Sequence, residues 1–180
     1  MALRITDSLA QRGEPFILLL GRLCMGSLYL MTGVNHWRNL TRLTHFMTGL
    51  PGGVDAWAML TATIEVASGL ALVLGFLTRE FALLLVLFNL SAAAIGHPYW
   101  SIDGDANARW AQFIGFWKDI GLAGGALFLF ARGAGRLSLD ATLVRNSARW
   151  SREVSWDKHG SSSRFASARP ARPPKRCRPS

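Results

Sequence analysis

The sequence predicts an all-α integral membrane protein: a four-helix bundle with a short interfacial helix and a disordered, basic C-terminal tail. Three observations lead there. Half of the 180 residues are hydrophobic and 17% are charged, below the roughly 25% charged residues of soluble domains. The apolar residues gather into four runs, each close to the roughly 20 helical residues that cross a bilayer core of about 30 Å. The net charge of +9 sits at one end: residues 141–180 hold ten Lys/Arg against two Asp/Glu, and residues 1–140 hold ten against nine. The body is nearly neutral, so the basicity belongs to the tail and no nucleic-acid partner is expected.

Residues 1–14 form a short polar N-terminal segment carrying Arg4, Asp7, Arg12 and Glu14. The apolar run behind them is too long for a signal h-region and no small-residue cleavage site follows it closely, so it reads as an uncleaved span. Pro15 opens this first span, about 15–34, which only Arg22 interrupts. From His36 to Leu50, Trp37, Leu40, Leu43 and Met47 recur at helical spacing while Arg38, Arg42 and His45 fill the other side. That pattern predicts a helix lying on the membrane surface, ended by Pro51-Gly52-Gly53. The second span covers about 55–76. The short link Thr78-Arg79-Glu80 makes spans two and three antiparallel neighbours. Span three, about 80–97, closes at His97-Pro98, and Tyr99 and Trp100 suit an aromatic belt. In the polar loop that follows, Asp103 and Asp105 flank Gly104 without the further ligands of a calcium loop. The fourth span, about 110–131, is interrupted by Lys118-Asp119.

The domain therefore runs from 15 to 140. Beyond it, residues 143–156 have the pattern of a surface helix. From Gly160 onward Ser, Arg and Pro prevail, too few apolar residues to offset the entropy of ordering. Lys/Arg counts orient the chain. With the N-terminus inside, Arg79, Arg132, Arg136 and the tail are cytoplasmic, and only Arg38, Arg42 and Arg109 lie outside. Both termini are thus expected in the cytoplasm of a cell whose inner (plasma) membrane holds the bundle. Membrane lipid is one expected partner, anionic lipid for the tail in particular.

Ionisable groups inside a span cost a few kcal/mol on insertion scales and mark functional sites by default. Counted at 1.5 Å per residue from each span's end, Arg22, Glu65, Asn89 and Lys118 fall near one depth, roughly 10–15 Å in. They come from four different helices. With Asp119 the formal charge of the cluster balances to zero, Lys118 being the expected counter-charge of Glu65. Small residues surround these positions: Thr61, Ser68 and Gly69 near Glu65, and Gly115, Gly121 and Gly125 near Lys118. The G-x-x-x-G at Gly121 and Gly125 predicts close helix contact. Two readings stand side by side. The charges fix helix register, or they line a polar site for a proton, a quinone head group or a small substrate.

Other chemistry is poorly supported. Cys24 and Cys177 form no C-x-x-C, so neither a disulfide framework nor a dithiol centre is predicted. His36 and His97 are candidates near the outer interface, but no ligand spacing accompanies them and no metal is expected. The chain has no haem ligand pair, flavin fingerprint or Cys₄ set.

Taken in series, the motifs resemble the DoxX family of small four-span bacterial membrane proteins over about residues 15–140. The resembling residues are Gly21-Arg22 with Gly33, Thr63-Ile-Glu65-Val-Ala-Ser-Gly69, Leu74-Gly75-Phe-Leu-Thr78-Arg79, His97-Pro98, Phe116-Trp-Lys118-Asp119 and Gly135-Arg-Leu-Ser-Leu-Asp140. The resemblance implies a membrane bundle associated with a quinone-linked redox system, since family members include a small subunit of a thiosulfate:quinone oxidoreductase. A protein partner or a homo-oligomer is then expected. Asp119 stands where the family often has Asn, which adds a buried acid. A non-catalytic scaffold and a small-solute or proton pathway are the alternative functions.

Overall fold

In this computed structural model Pro15 lies inside the first helix rather than at its start. The structure describes residues 2–48, 50–147 and 149–150, with side chains from residue 6 onward except Phe46. Helix α1 runs Ala2–Arg38, about 55 Å at 1.5 Å per residue and longer than a bilayer core. Good helix formers such as Leu9, Ala10 and Gln11 carry it through Pro15, at the loss of one backbone hydrogen bond. Because α1 takes residues 36–38, the expected interfacial helix shrinks to α2, Leu40–Thr44, and a 3₁₀ turn, His45–Met47. Helix α3 is Val54–Leu74 and α4 is Thr78–Ser91. A π-helical turn, Ala92–Gly96, and a 3₁₀ turn, Tyr99–Ser101, continue α4. Helix α5 is Ala106–Arg132, its first turn capped by the Asp105 carboxylate accepting from the Asn107 and Ala108 N–H groups at 3.0 Å each.

Among the described residues, four helical stretches are long and apolar enough to cross a membrane: Thr6–Arg38, Val54–Leu74, Thr78–Ser101 and Ala106–Arg132. The described residues contain no strand. The fold is an all-α membrane bundle. A last helix begins at residue 139, and residues 143–147 and 149–150 are helical; the tail expected to be disordered lies, from residue 151 on, outside the described residues.

Helix α1 packs along α3, and α4 along α5. Glycines set the first pairing. A Cβ on Gly33 would meet the Val66 backbone nitrogen at 2.8 Å, and one on Gly69 would meet the Gly26 carbonyl oxygen at 2.8 Å. The core between the two pairs is Tyr29, Leu72, Leu85, Val86 and Leu129 with Ala82 and Ala126. The predicted contact at Gly121 does not form: nothing lies within 4 Å of a Cβ built there, while a Cβ on Gly125 would lie 3.4 Å from the Met25 sulfur.

The turn between α3 and α4 is held from two sides. Gly75 sits at φ +66°, and its N–H and that of Phe76 bond to the Leu72 and Ala71 carbonyls at 3.2 and 2.9 Å, the paired bonds that close a helix on a left-handed residue. Leu77 is also left-handed, at φ 45°. The Asp140 carboxylate accepts from the Leu77 and Thr78 N–H groups at 2.8 and 3.0 Å, and the Asp140 N–H donates to Gly75 O at 3.0 Å. Arg22, fully buried, completes this clasp. Its guanidinium donates to Leu72 O at 3.3 Å and to Leu137 O at 2.5 Å. A Cβ on Gly75 would overlap that guanidinium, so glycine is required there for space as well as for its φ.

Candidate functional site

Arg22 therefore does not share the depth of Glu65. Depth counted from Pro15 placed it in mid-membrane, but α1 overhangs α3 and sets Arg22 level with the α3 C-terminus. There its charge meets the last carbonyls of a helix, where a cation is favoured.

The same register sinks His36. Its place in the sequence predicts the outer interface, yet its Nδ1 lies 2.5 Å from Glu65 Oε2, in the middle of α3. Glu65 is 6% exposed, and its counter-group is this imidazole rather than Lys118. A carboxylate accepts, so His36 donates from Nδ1 and turns Nε2 elsewhere. His97, at the far end of span three, does the matching work for α5. Its Nδ1 is 2.6 Å from Gln112 Oε1 and its Nε2 is 3.5 Å from Asp119 Oδ2. Gly115 makes room for the ring, since a Cβ there would lie 2.5 Å from His97 Nδ1. Lys118 Nζ approaches Asp119 Oδ1 at 3.3 Å, although the lysine side chain is 55% exposed. Asn89, buried, donates from Nδ2 to Tyr29 Oη at 2.7 Å and to Leu85 O at 2.5 Å. That leaves the tyrosine hydroxyl free to donate.

These groups converge on one cavity of about 550 Å³. Tyr29, His36, Glu65, Asn89, Lys118 and Asp119 line it, and His97 joins them from the π-helical end of α4. The rest of its wall is largely apolar, the usual make-up of a small-molecule site. Arg22 is not in the lining. One ammonium, Lys118, and two carboxylates, Glu65 and Asp119, line the cavity. No group of three or more His, Cys, Asp or Glu side chains that could hold a metal occurs among the described residues.

Sequence reasoning passed over Tyr29, Gln112 and the depth of His36. A signal was present: Tyr29, Thr32 and His36 fall at i, i+3, i+7, as do Gln112, Gly115 and Asp119, one face of a helix in each case.

Comparison with known proteins agrees with this architecture. The DoxX family model matches residues 17–98, which include Tyr29, His36, Glu65, Asn89 and His97 but not Lys118 or Asp119. The inner membrane protein YphA of Escherichia coli (strain K12) is 34% identical over 128 residues, which are 71% of this chain and 90% of that protein. No solved structure matches.

Proposed function

The chain belongs to the DoxX family of multi-pass inner-membrane proteins, and from that premise we propose that it is a ligand-binding subunit of a quinone-linked redox system. One observation carries this reading: two His–carboxylate pairs and a Tyr–Asn pair, from separate helices, face a single apolar cavity. A quinone ring offers two carbonyl acceptors. The Tyr29 hydroxyl and the Lys118 ammonium are donors on the cavity wall, and His36 and His97 can exchange the proton that accompanies a change in quinone charge. Electrons pass to a centre on a protein partner. Both termini are assigned to the cytoplasm, which puts Arg79, Arg132 and Arg136 inside and the His36 end of the bundle outside.

The test is binding of a decyl-chain benzoquinone to the purified protein in detergent, followed by displacement or by tryptophan quenching through Trp57, which lines the cavity. Saturable binding that Glu65→Gln weakens supports the reading. Absence of saturable binding to folded protein ends it.

A second reading, a non-catalytic scaffold, is favoured by one fact: each buried carboxylate already has a partner. In that case replacing both members of a pair by apolar residues leaves folding intact, and no quinone binds to the parent protein.

A further inference from the structure

We propose that the cavity is filled sideways from the bilayer, and that its occupant is a membrane-dissolved amphiphile with an uncharged polar head and an apolar chain that leaves between α3 and α4. The inference rests on the reading that this cavity holds a ligand. It does not depend on the head being a quinone.

The route follows from the character of the cavity's ends and of its α3–α4 wall. At the end nearest water, Leu43, Met47, Leu50 and Trp57 form its wall. Leu43 is buried, and Trp57 Nε1 donates to Pro51 O at 2.9 Å, tying the loop before α3 onto that helix. At the other end stand the Tyr29–Asn89 hydrogen bond and the buried side chains of Leu72 and Leu85. The wall between α3 and α4 has a different character. Leu60 on α3 and Leu84 and Leu87 on α4 line the cavity while being 48%, 36% and 59% exposed, and Ile95 beyond them is 50% exposed. In a bilayer such residues touch acyl chains. Helix α3 also packs less closely on α4 than on α1, and the Arg22–Asp140 clasp pins the two at their turn end. The sides near Leu60 and Leu87 are therefore the way in for a molecule already dissolved in lipid.

The chemistry of the head follows from charge. The cavity wall carries one cation, Lys118, against Glu65 and Asp119. An anionic head would find no unpaired cation there and a cationic head would meet the Lys118 ammonium, so either would be poorly compensated in a low-dielectric space. A neutral head with hydrogen-bonding oxygens meets Tyr29 and Lys118 without that penalty.

Spin labels test the route. In a Cys24→Ser, Cys177→Ser background, a nitroxide is placed at the cavity wall by Thr61→Cys, and independently by Ser91→Cys in case one label disturbs folding. A lipid-facing reference is Phe128→Cys, 77% exposed on α5. In reconstituted vesicles, collisions with oxygen, which dissolves in lipid, are compared with collisions with a water-soluble nickel chelate. Sideways access predicts an oxygen collision rate at residues 61 and 91 comparable to that at 128, and a nickel rate near background. A nickel rate that rises at residues 61 and 91 means access from water and overturns the proposal. Low rates for both reagents mean a sealed cavity and overturn it as well. The occupant's chain is tested separately: decyl-benzoquinone should bind at least about tenfold more tightly than the chainless ring, and Leu87→Trp should slow its uptake. Equal affinity with and without the chain removes the amphiphile. If neither quinone binds while the oxygen pattern holds, the quinone reading fails and the route stands.

Discussion

Two buried polar regions sit in this bundle, and they spend charge differently. In the clasp, Arg22 and Asp140 bond almost wholly to backbone: Leu72 and Leu137 carbonyls on one side, Leu77 and Thr78 amides on the other. In the cavity, side chains bond to side chains: His36 to Glu65, His97 to Gln112 and Asp119, Asn89 to Tyr29. Backbone groups at helix ends need partners whatever the protein does. Side-chain pairs facing a void are not demanded by the fold, since apolar residues of similar volume would serve at least as well. The clasp therefore belongs to the fold, and the cavity is the place where the proposed ligand would act.

The largest expected effect belongs to the clasp. Arg22→Leu takes the guanidinium donor from the Leu137 carbonyl and one of two donors from the Leu72 carbonyl, which keeps the Gly75 N–H, and a lost partner of this kind costs about 1–3 kcal/mol. The variant should unfold in detergent at a clearly lower temperature than the parent, or fail to accumulate in membranes. Arg22→Lys should rescue little, because one ammonium lacks the fork that reaches both the Leu72 and Leu137 oxygens. A parental melting temperature for Arg22→Leu would show that the clasp is not what holds the α3–α4 turn.

Asp140→Asn comes next. It keeps one oxygen for the Leu77 or Thr78 amide but loses the charge and the second acceptor. Helix-capping losses of this kind are about 1–2 kcal/mol. Thermal unfolding reads the loss directly, and ligand binding should be unchanged.

The difference between these regions also explains what could be seen in the sequence. The four spans were legible because hydropathy depends only on local composition, and Glu65, Asn89, Lys118 and Asp119 stood out as polar residues in apolar runs. Their shared cavity follows from depth alone, since α3, α4 and α5 begin close to where their apolar runs begin. Arg22 and His36 were misplaced together by one cause. The register of α1 against α3 is set by backbone approach at Gly26, Gly33 and Gly69, a tertiary fact that no count from Pro15 contains. Sliding α1 moved Arg22 out to the turn and drew His36 in to Glu65.

Glu65→Gln should reverse the pattern of the clasp variants. Glutamine keeps the shape and can still bond His36, so stability should change by no more than about 1 kcal/mol. Affinity for a decyl-benzoquinone should fall at least about tenfold, or about 1.4 kcal/mol. A melting temperature lowered as far as in Arg22→Leu would place Glu65 with the clasp, as a structural charge.

Lys118→Met is the smallest expected change in stability and the sharpest on interpretation. Its ammonium lies 3.3 Å from Asp119, but the side chain is half-exposed, and His97 remains on the other oxygen of the same carboxylate. An ion pair so exposed contributes about 0–1 kcal/mol, and methionine fills the space of the lysine stem without a charge. Unfolding should therefore stay within about 1 kcal/mol of the parent, while ligand affinity falls because a donor has left the cavity wall. If affinity instead stays at the parental level, Lys118 serves only to neutralise Asp119, and the head-group contacts must come from Tyr29 and the two imidazoles alone.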